Sequence, residues 1–194
     1  MKKFFLMLAV ALPMFFMASC GDDNDDDVKI EYTMPLLTKS SSDVLSISNI
    51  SLNLAWGDDQ EDVKDVMKPF SYVLNTDFST SSMLAYTYDA DGSYPFYTYG
   101  FKGGSLYSSS ITITGDQDDE IDLMEYFDKN GYKDVTTDED DGLVYRSKDK
   151  ITLVHYGYDG DVTVMWTPND GTRANSREVL YNHLETVKAL KNIK

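Results

Sequence analysis

The sequence predicts an α+β protein in which antiparallel meander sheets are covered by short helices. Three observations lead there. Apolar and aromatic runs of five to eight residues are bounded by turn dipeptides such as Gly103-Gly104 and Asp159-Gly160. Two short stretches with helical spacing each stand directly before a series of such runs. Tyrosine is abundant, with 14 in 194 residues, which suits strands that pair aromatic side chains across a sheet.

Before the folded part comes an export signal. Lys2 and Lys3 precede an apolar run from Phe4 to Met17, and Met17-Ala18-Ser19 lead to Cys20, the chain's single cysteine. Small residues at 18 and 19 let a peptidase approach the backbone, and the Cys20 thiol can receive diacylglycerol, so Cys20 is expected to be the acylated first residue after removal of residues 1–19. The apolar run is broken by Pro13 and is too short for a membrane span, which needs about twenty residues. Residues 20–43 are expected to be tether and linker. Their start, Gly21-Asp22-Asp23-Asn24-Asp25-Asp26-Asp27, puts five like charges in six positions and resists compaction.

The folded domain is then expected over 44–194, with a first strand at Val44 to Ile47. Asp58 can cap a helix whose third residue, Glu61, returns the bond; Val63, Val66, Met67 and Phe70 form its apolar stripe, and Pro69 ends it. Strands follow at 83–88, 94–101 and 106–114. A second helix starts in the acidic run 116–120, carries Ile121, Met124 and Phe127, and stops at Asn130-Gly131. Further strands are predicted at 132–136, 143–147, 151–158 and 161–167. A last helix is expected within 175–193, with Leu180, Leu184 and Val187 on one face. The order suggests two half-repeats, 50–115 and 116–170, each a helix followed by strands.

Charge excludes some functions. With residues 1–19 removed, 15 basic and 33 acidic side chains remain, so phosphate backbones and anionic headgroups are repelled: nucleic-acid binding is not expected, and the lipid on Cys20 is the expected membrane contact. No cofactor is expected either. The two histidines stand apart, His155 within a strand beside Ile151 and Leu153 and His183 on the last helix, and the domain has no cysteine, a poor basis for zinc. No Gly-x-Ser-x-Gly elbow exposes a serine nucleophile. The acidic loops ending at Gly92 and Gly142 lack the closing carboxylate of a calcium loop, threonine or lysine standing in its place. A hydrolase would need two opposed carboxylates, which no pattern singles out. A non-enzymatic binding module is therefore expected, the alternatives being a component of a surface assembly and a hydrolase with an unrecognised carboxylate site.

The binding candidates are aromatic. Tyr86 and Tyr88 share one strand face, and Tyr97, Tyr99 and Phe101 share a face of the next. One short helix, about 16 Å long, covers only part of a three-stranded sheet, so some of these rings are expected to be exposed as a platform for sugars or an extended peptide.

Two resemblances add to this reading. Cys20 followed by the Asp-rich run resembles the acidic export tag of surface lipoproteins of Bacteroidetes-type bacteria, which implies the outer face of the outer membrane. The stretch Trp56-Gly57-x-Asp59 with Val63 and Met67, followed by Tyr99-x-Phe101-x-x-Gly104-x-Leu106, looks like lipoproteins of the same group. Its helix-plus-meander unit is similar in outline to the β-lactamase inhibitor protein and to the small lipoprotein of the outer-membrane barrel-assembly machine. That outline implies protein binding through a sheet face without catalysis; the partner expected for this chain is an envelope protein or a glycan.

Overall fold

The computed structural model describes residues 29–40, 44–89, 94–114, 123–137, 140, 142–158 and 161–169. The expectations for Cys20, the 22–27 run and the helix within 175–193 lie outside these residues.

The α+β class holds, and the order of strands is informative. A two-stranded hairpin, β1 (Ile30–Lys39) and β2 (Leu45–Trp56), comes first. Then come α1 (Gln60–Met67) and β3 (Val73–Leu74), β4 (Met83–Thr87), β5 (Phe96–Lys102) and β6 (Ser105–Thr114). The pattern repeats with α2 (Leu123–Lys129) and β7 (Lys133–Asp134), β8 (Leu143–Arg146), β9 (Thr152–Tyr158) and β10 (Asp161–Pro168). The eight later strands form one antiparallel sheet in the order β3-β4-β5-β6-β10-β9-β8-β7. Each half is thus a helix and a four-strand meander, and the two last strands pair at the centre. The expected units had three strands in the first half because β3 is two residues long and leaves no alternation to read. Both outer strands, β3 and β7, are this short, which leaves little free edge for another chain to pair with.

Local chemistry explains the helix ends. Ala55 to Asp58 form a turn closed by Asp58 N–H donating to the Ala55 carbonyl at 3.1 Å, with Gly57 at φ 95°, a conformation a side chain would strain. The Asp58 carboxylate is used inside this turn, accepting from Ala55 N–H at 2.7 Å, and it pairs with the Lys29 ammonium at 2.9 Å. The cap therefore moves one residue from the expected position. Asp59 accepts from the amides of Glu61 and Asp62, and the Asp62 carboxylate takes the Asp59 N–H in return. At the other helix, Gly131 (φ 76°) ends α2; its N–H donates to the Asp128 carbonyl and the Tyr132 N–H to that of Phe127, which satisfies two carbonyls the helix leaves open.

Residues 30–39, expected as linker, are strand β1, so the fold begins well before residue 44. The pattern is hard to read because of Pro35 and an irregularity. Pro35 pairs with Ser51 but Leu37 with Ile47, so Leu36 faces three residues of β2, Ser48 to Ile50, and the apolar alternation shifts there.

The described elements lie on one face of the eight-stranded sheet. α1 reaches it through Met67, whose sulfur accepts from the Tyr99 hydroxyl at 3.1 Å. α2 places Phe127 against Trp166, centroids 6.2 Å apart, and the Met124 sulfur takes the Tyr145 hydroxyl. The hairpin covers the middle, where Trp56 stacks on Tyr32 at 3.9 Å and donates its indole N–H to Thr152, and the Tyr32 hydroxyl meets that of Ser109.

Candidate functional site

The expected tyrosine platform is core. Tyr97 and Tyr99 are 0% exposed, Phe101 is 4% and Tyr86 is 5% exposed. Tyr88 alone of the five is half-buried; Tyr72 meets its ring edge-on at 5.7 Å, and the Lys39 ammonium sits 4.9 Å from its centroid. One helix does not cover the face; the β1–β2 hairpin is its second cover.

These rings are tyrosines rather than phenylalanines for a visible reason. The irregularity in β1 frees backbone groups that must find partners out of water. Tyr97 serves two of them, its hydroxyl accepting from Leu37 N–H at 2.8 Å and donating to the Pro35 carbonyl at 2.9 Å. Tyr72 donates to the Leu37 carbonyl at 2.9 Å. Burial raises the phenol pKa of Tyr86 and Tyr132 to about 12, it pushes Tyr32, Tyr72 and Tyr97 higher still, and it holds Tyr99 well above the ordinary phenol range. Each of these phenols is therefore neutral near pH 7.

Other ionisable groups hold structure. Lys29 bridges Asp58 and Asp62 at 2.9 and 2.7 Å, tying the start of β1 to the start of α1. Hydrogen bonds from Lys29 and from the Asp59 amide hold the Asp62 carboxyl below its ordinary pKa. Asp134 is lowered in the same way by the Thr136 hydroxyl and amide. His155 is buried in β9 between Met165 and Val144 of the neighbouring strands, on the face shared with Leu153. Among the described residues, no three His, Cys, Asp or Glu side chains are grouped as a metal site. No described helix is long and apolar enough to cross a membrane.

The surface also carries a strip without charge. From Val44 to Gly57 the chain has no charged residue, although 26% of all residues are charged. Val44, Ser46, Asn49, Ile50 and Asn53 are exposed along it, Ile50 at 58%. Ile50 stands on the three-residue segment opposite Leu36, where its amide donates to the Ser48 hydroxyl at 3.1 Å, so the segment is held by its own side chain. Val44 and Ile50 thus bring exposed aliphatic surface to the far half of the hairpin. The sequence signal was the missing charge, more visible than any motif.

Comparison of this chain with protein-family models, curated proteins and solved structures finds no match. The resemblance to lipoproteins therefore rests on Cys20, the acidic run and the order of elements.

Proposed function

We propose that this protein is a lipid-anchored, surface-exposed lipoprotein of the outer membrane that binds an envelope protein without catalysis, through the uncharged strip of β2. The observation that carries the reading is the exposed Val44 and Ile50 within a charge-free stretch of a strongly acidic chain. Such a strip has no charge to desolvate and can approach a partner without the repulsion that the rest of the chain imposes. A protein partner is favoured over a glycan because sugar rings stack on exposed aromatic faces, whereas four of the five candidate rings are buried.

The test is capture from intact outer membranes by the soluble chain, run beside a glycan array. The wild type captures a discrete membrane protein, and Ile50→Asp weakens that capture by roughly tenfold or more, since binding energy concentrates in a few anchors. Equal capture by both chains, or array binding that Ile50→Asp leaves intact, contradicts the proposal. The anchor is tested separately. Cys20→Ala abolishes labelling by a fatty-acid analogue, and protease added to intact cells degrades the wild type; a labelled mutant, or protection until lysis, overturns that part.

A further inference from the structure

β2 has an open edge, and the pairing register shows which groups lie on it. Leu37 donates its N–H to Tyr97 and accepts at its carbonyl from Tyr72, while Ser40 N–H donates to the Val44 carbonyl. Near the hairpin tip, Leu45 and Ile47 therefore turn their backbone groups away from β1. At the other end Ala55 gives its N–H to the Asp58 carboxylate and takes Asp58 N–H at its carbonyl, which sets the alternation there. Asn53 and Ser51, two and four residues before Ala55, share that direction. Pro35 fits the same phase, because opposite Ser51 it is not required to donate an N–H. Among the described residues nothing bonds to the backbone groups that Ser51 and Asn53 point outward.

A long unpaired edge is a template for another strand. The outer strands of the large sheet avoid this by being two residues long, and the edge of β1 is closed by Tyr97 and Tyr72. β2 has neither protection, and no charge or proline stands between Val44 and Gly57. Besides β1, it meets chiefly α1 and β6, at the Ala55–Asp58 turn where Gly57 N–H donates to the Leu106 carbonyl at 3.0 Å. The Tyr126 hydroxyl of α2 comes near those of Thr33 and Ser51, which stand on opposite sides of the β1–β2 ladder, so it sits over the ladder rather than beside β2. We infer that the partner proposed for this strip is held by strand addition: an extended segment of it pairs main chain to main chain with Ser51 and Asn53, beside the exposed Ile50. The inference rests on the reading of β2 as the binding surface.

The edge also defines the chemistry of that segment. Two outward residues offer four main-chain bonds, whichever way the added strand runs. The row is interrupted at Ser48 to Ile50, where Ser48 holds the Ile50 amide, so the added segment is short, about three to five residues. Its side chains are neutral over this length, because a charge beside Ser51 and Asn53 would leave water without a partner. Beyond Ala55 the edge runs into Asp58, Asp59, Glu61 and Asp62, with only Lys29 and Lys64 paired among them, in a chain of net charge −16. The end of the segment on that side therefore carries lysine or arginine.

The experiment uses residues 20–194 with Cys20→Ser, and outer-membrane protein solubilised in detergent as the probe. In the free chain the amides of Ser51 and Asn53 are expected to exchange hydrogen rapidly, and those of Leu52 and Leu54, which face β1, slowly. With the captured partner bound, the first two are expected to slow by roughly 100-fold. Asn53→Pro removes an outward N–H that the hairpin does not use, and is expected to weaken capture roughly tenfold with the sheet signature in circular dichroism retained. Asn53→Ala keeps that N–H and is expected to capture within about twofold of wild type. If Asn53→Pro does not fold, the exchange of Ser51 and Asn53 decides. Slow exchange of both in the free chain, or exchange that the bound partner leaves unchanged, overturns the inference. So does capture that Ile50→Asp weakens and Asn53→Pro leaves intact, a result that upholds β2 as the surface. Capture that neither variant changes, or no capture at all, removes the reading and the inference together.

Discussion

The two faces of the central sheet put hydroxyl groups to different use. On the first face tyrosine hydroxyls reach out of the sheet to the layer packed on it, Tyr97 to the hairpin backbone at Leu37 and Pro35 and Tyr99 to the Met67 sulfur of α1. On the second they belong to short side chains that pair with one another across neighbouring strands, as Thr112 does with Thr163. The first arrangement binds two layers together. The second leaves a low surface at whose centre the Thr98–Ser110 and Thr112–Thr163 hydroxyls are paired. A tyrosine-rich strand is thus no sign of a recognition surface when a nearby segment with irregular backbone needs buried partners.

The largest test of this contrast is alkaline pH. Phenols held above their ordinary pKa of 10 stay protonated in the folded state and ionise in the unfolded one, so stability falls as pH rises above about 10 and goes on falling toward the folded values. With Tyr86 and Tyr132 at about 12 and Tyr32, Tyr72, Tyr97 and Tyr99 also raised by burial, the tyrosinate absorbance of these six is expected to rise together with the loss of sheet signal. A gradual rise centred near pH 10 with the sheet intact would show that these rings meet solvent.

Tyr97 separates ring from hydroxyl. Tyr97→Ala is expected to lower stability in chemical denaturation by about 3 to 5 kcal/mol, in the range for emptying an aromatic site. Tyr97→Phe keeps the ring and strands Leu37 N–H and the Pro35 carbonyl, which costs about 1 to 3 kcal/mol. A neutral Tyr97→Phe would mean that the phenol does not hold the hairpin.

The second face predicts the opposite pattern. Thr112→Val alone leaves the Thr163 hydroxyl without its partner and is expected to cost about 1 kcal/mol, whereas Thr112→Val with Thr163→Val is close to neutral. Urea unfolding of the two variants checks it, and a double variant costing the sum of two singles would contradict the pairing.

The smallest effect belongs to the cap of α1. Asp59→Ala is expected to cost about 1 kcal/mol. Because the Asp62 carboxyl is held below its ordinary value, its contribution is complete above the ordinary carboxylate range and is lost as pH falls through the lowered value. The side chain is about half exposed, so the slope is shallow, and unfolding between pH 5 and pH 2 with and without Asp62→Asn measures it.

These comparisons also mark what the sequence could convey. Repeated short strands, Gly103-Gly104 and the stop at Asn130-Gly131 lie where expected because each is decided by neighbouring residues. The helix cap lies one position later than expected because the Asp58 carboxylate is taken by Ala55 N–H within the turn and by Lys29, 29 residues earlier in the chain. The tyrosine face was misread for the same reason: its cover is a hairpin whose alternation is interrupted at Leu36. The exposed strip on β2 was legible, as a stretch without charge, but only once the hairpin had a position.

The most direct measurement pairs one variant from each role. Ile50→Asp and Tyr97→Phe are compared for capture of the membrane partner per folded molecule and for stability in urea. The account predicts that Ile50→Asp loses capture roughly tenfold with stability within about 0.5 kcal/mol of wild type, while Tyr97→Phe loses about 1 to 3 kcal/mol of stability and keeps its capture. The reverse result, in which Tyr97→Phe impairs capture at full stability and Ile50→Asp does not, would return recognition to the tyrosine face and contradict the account.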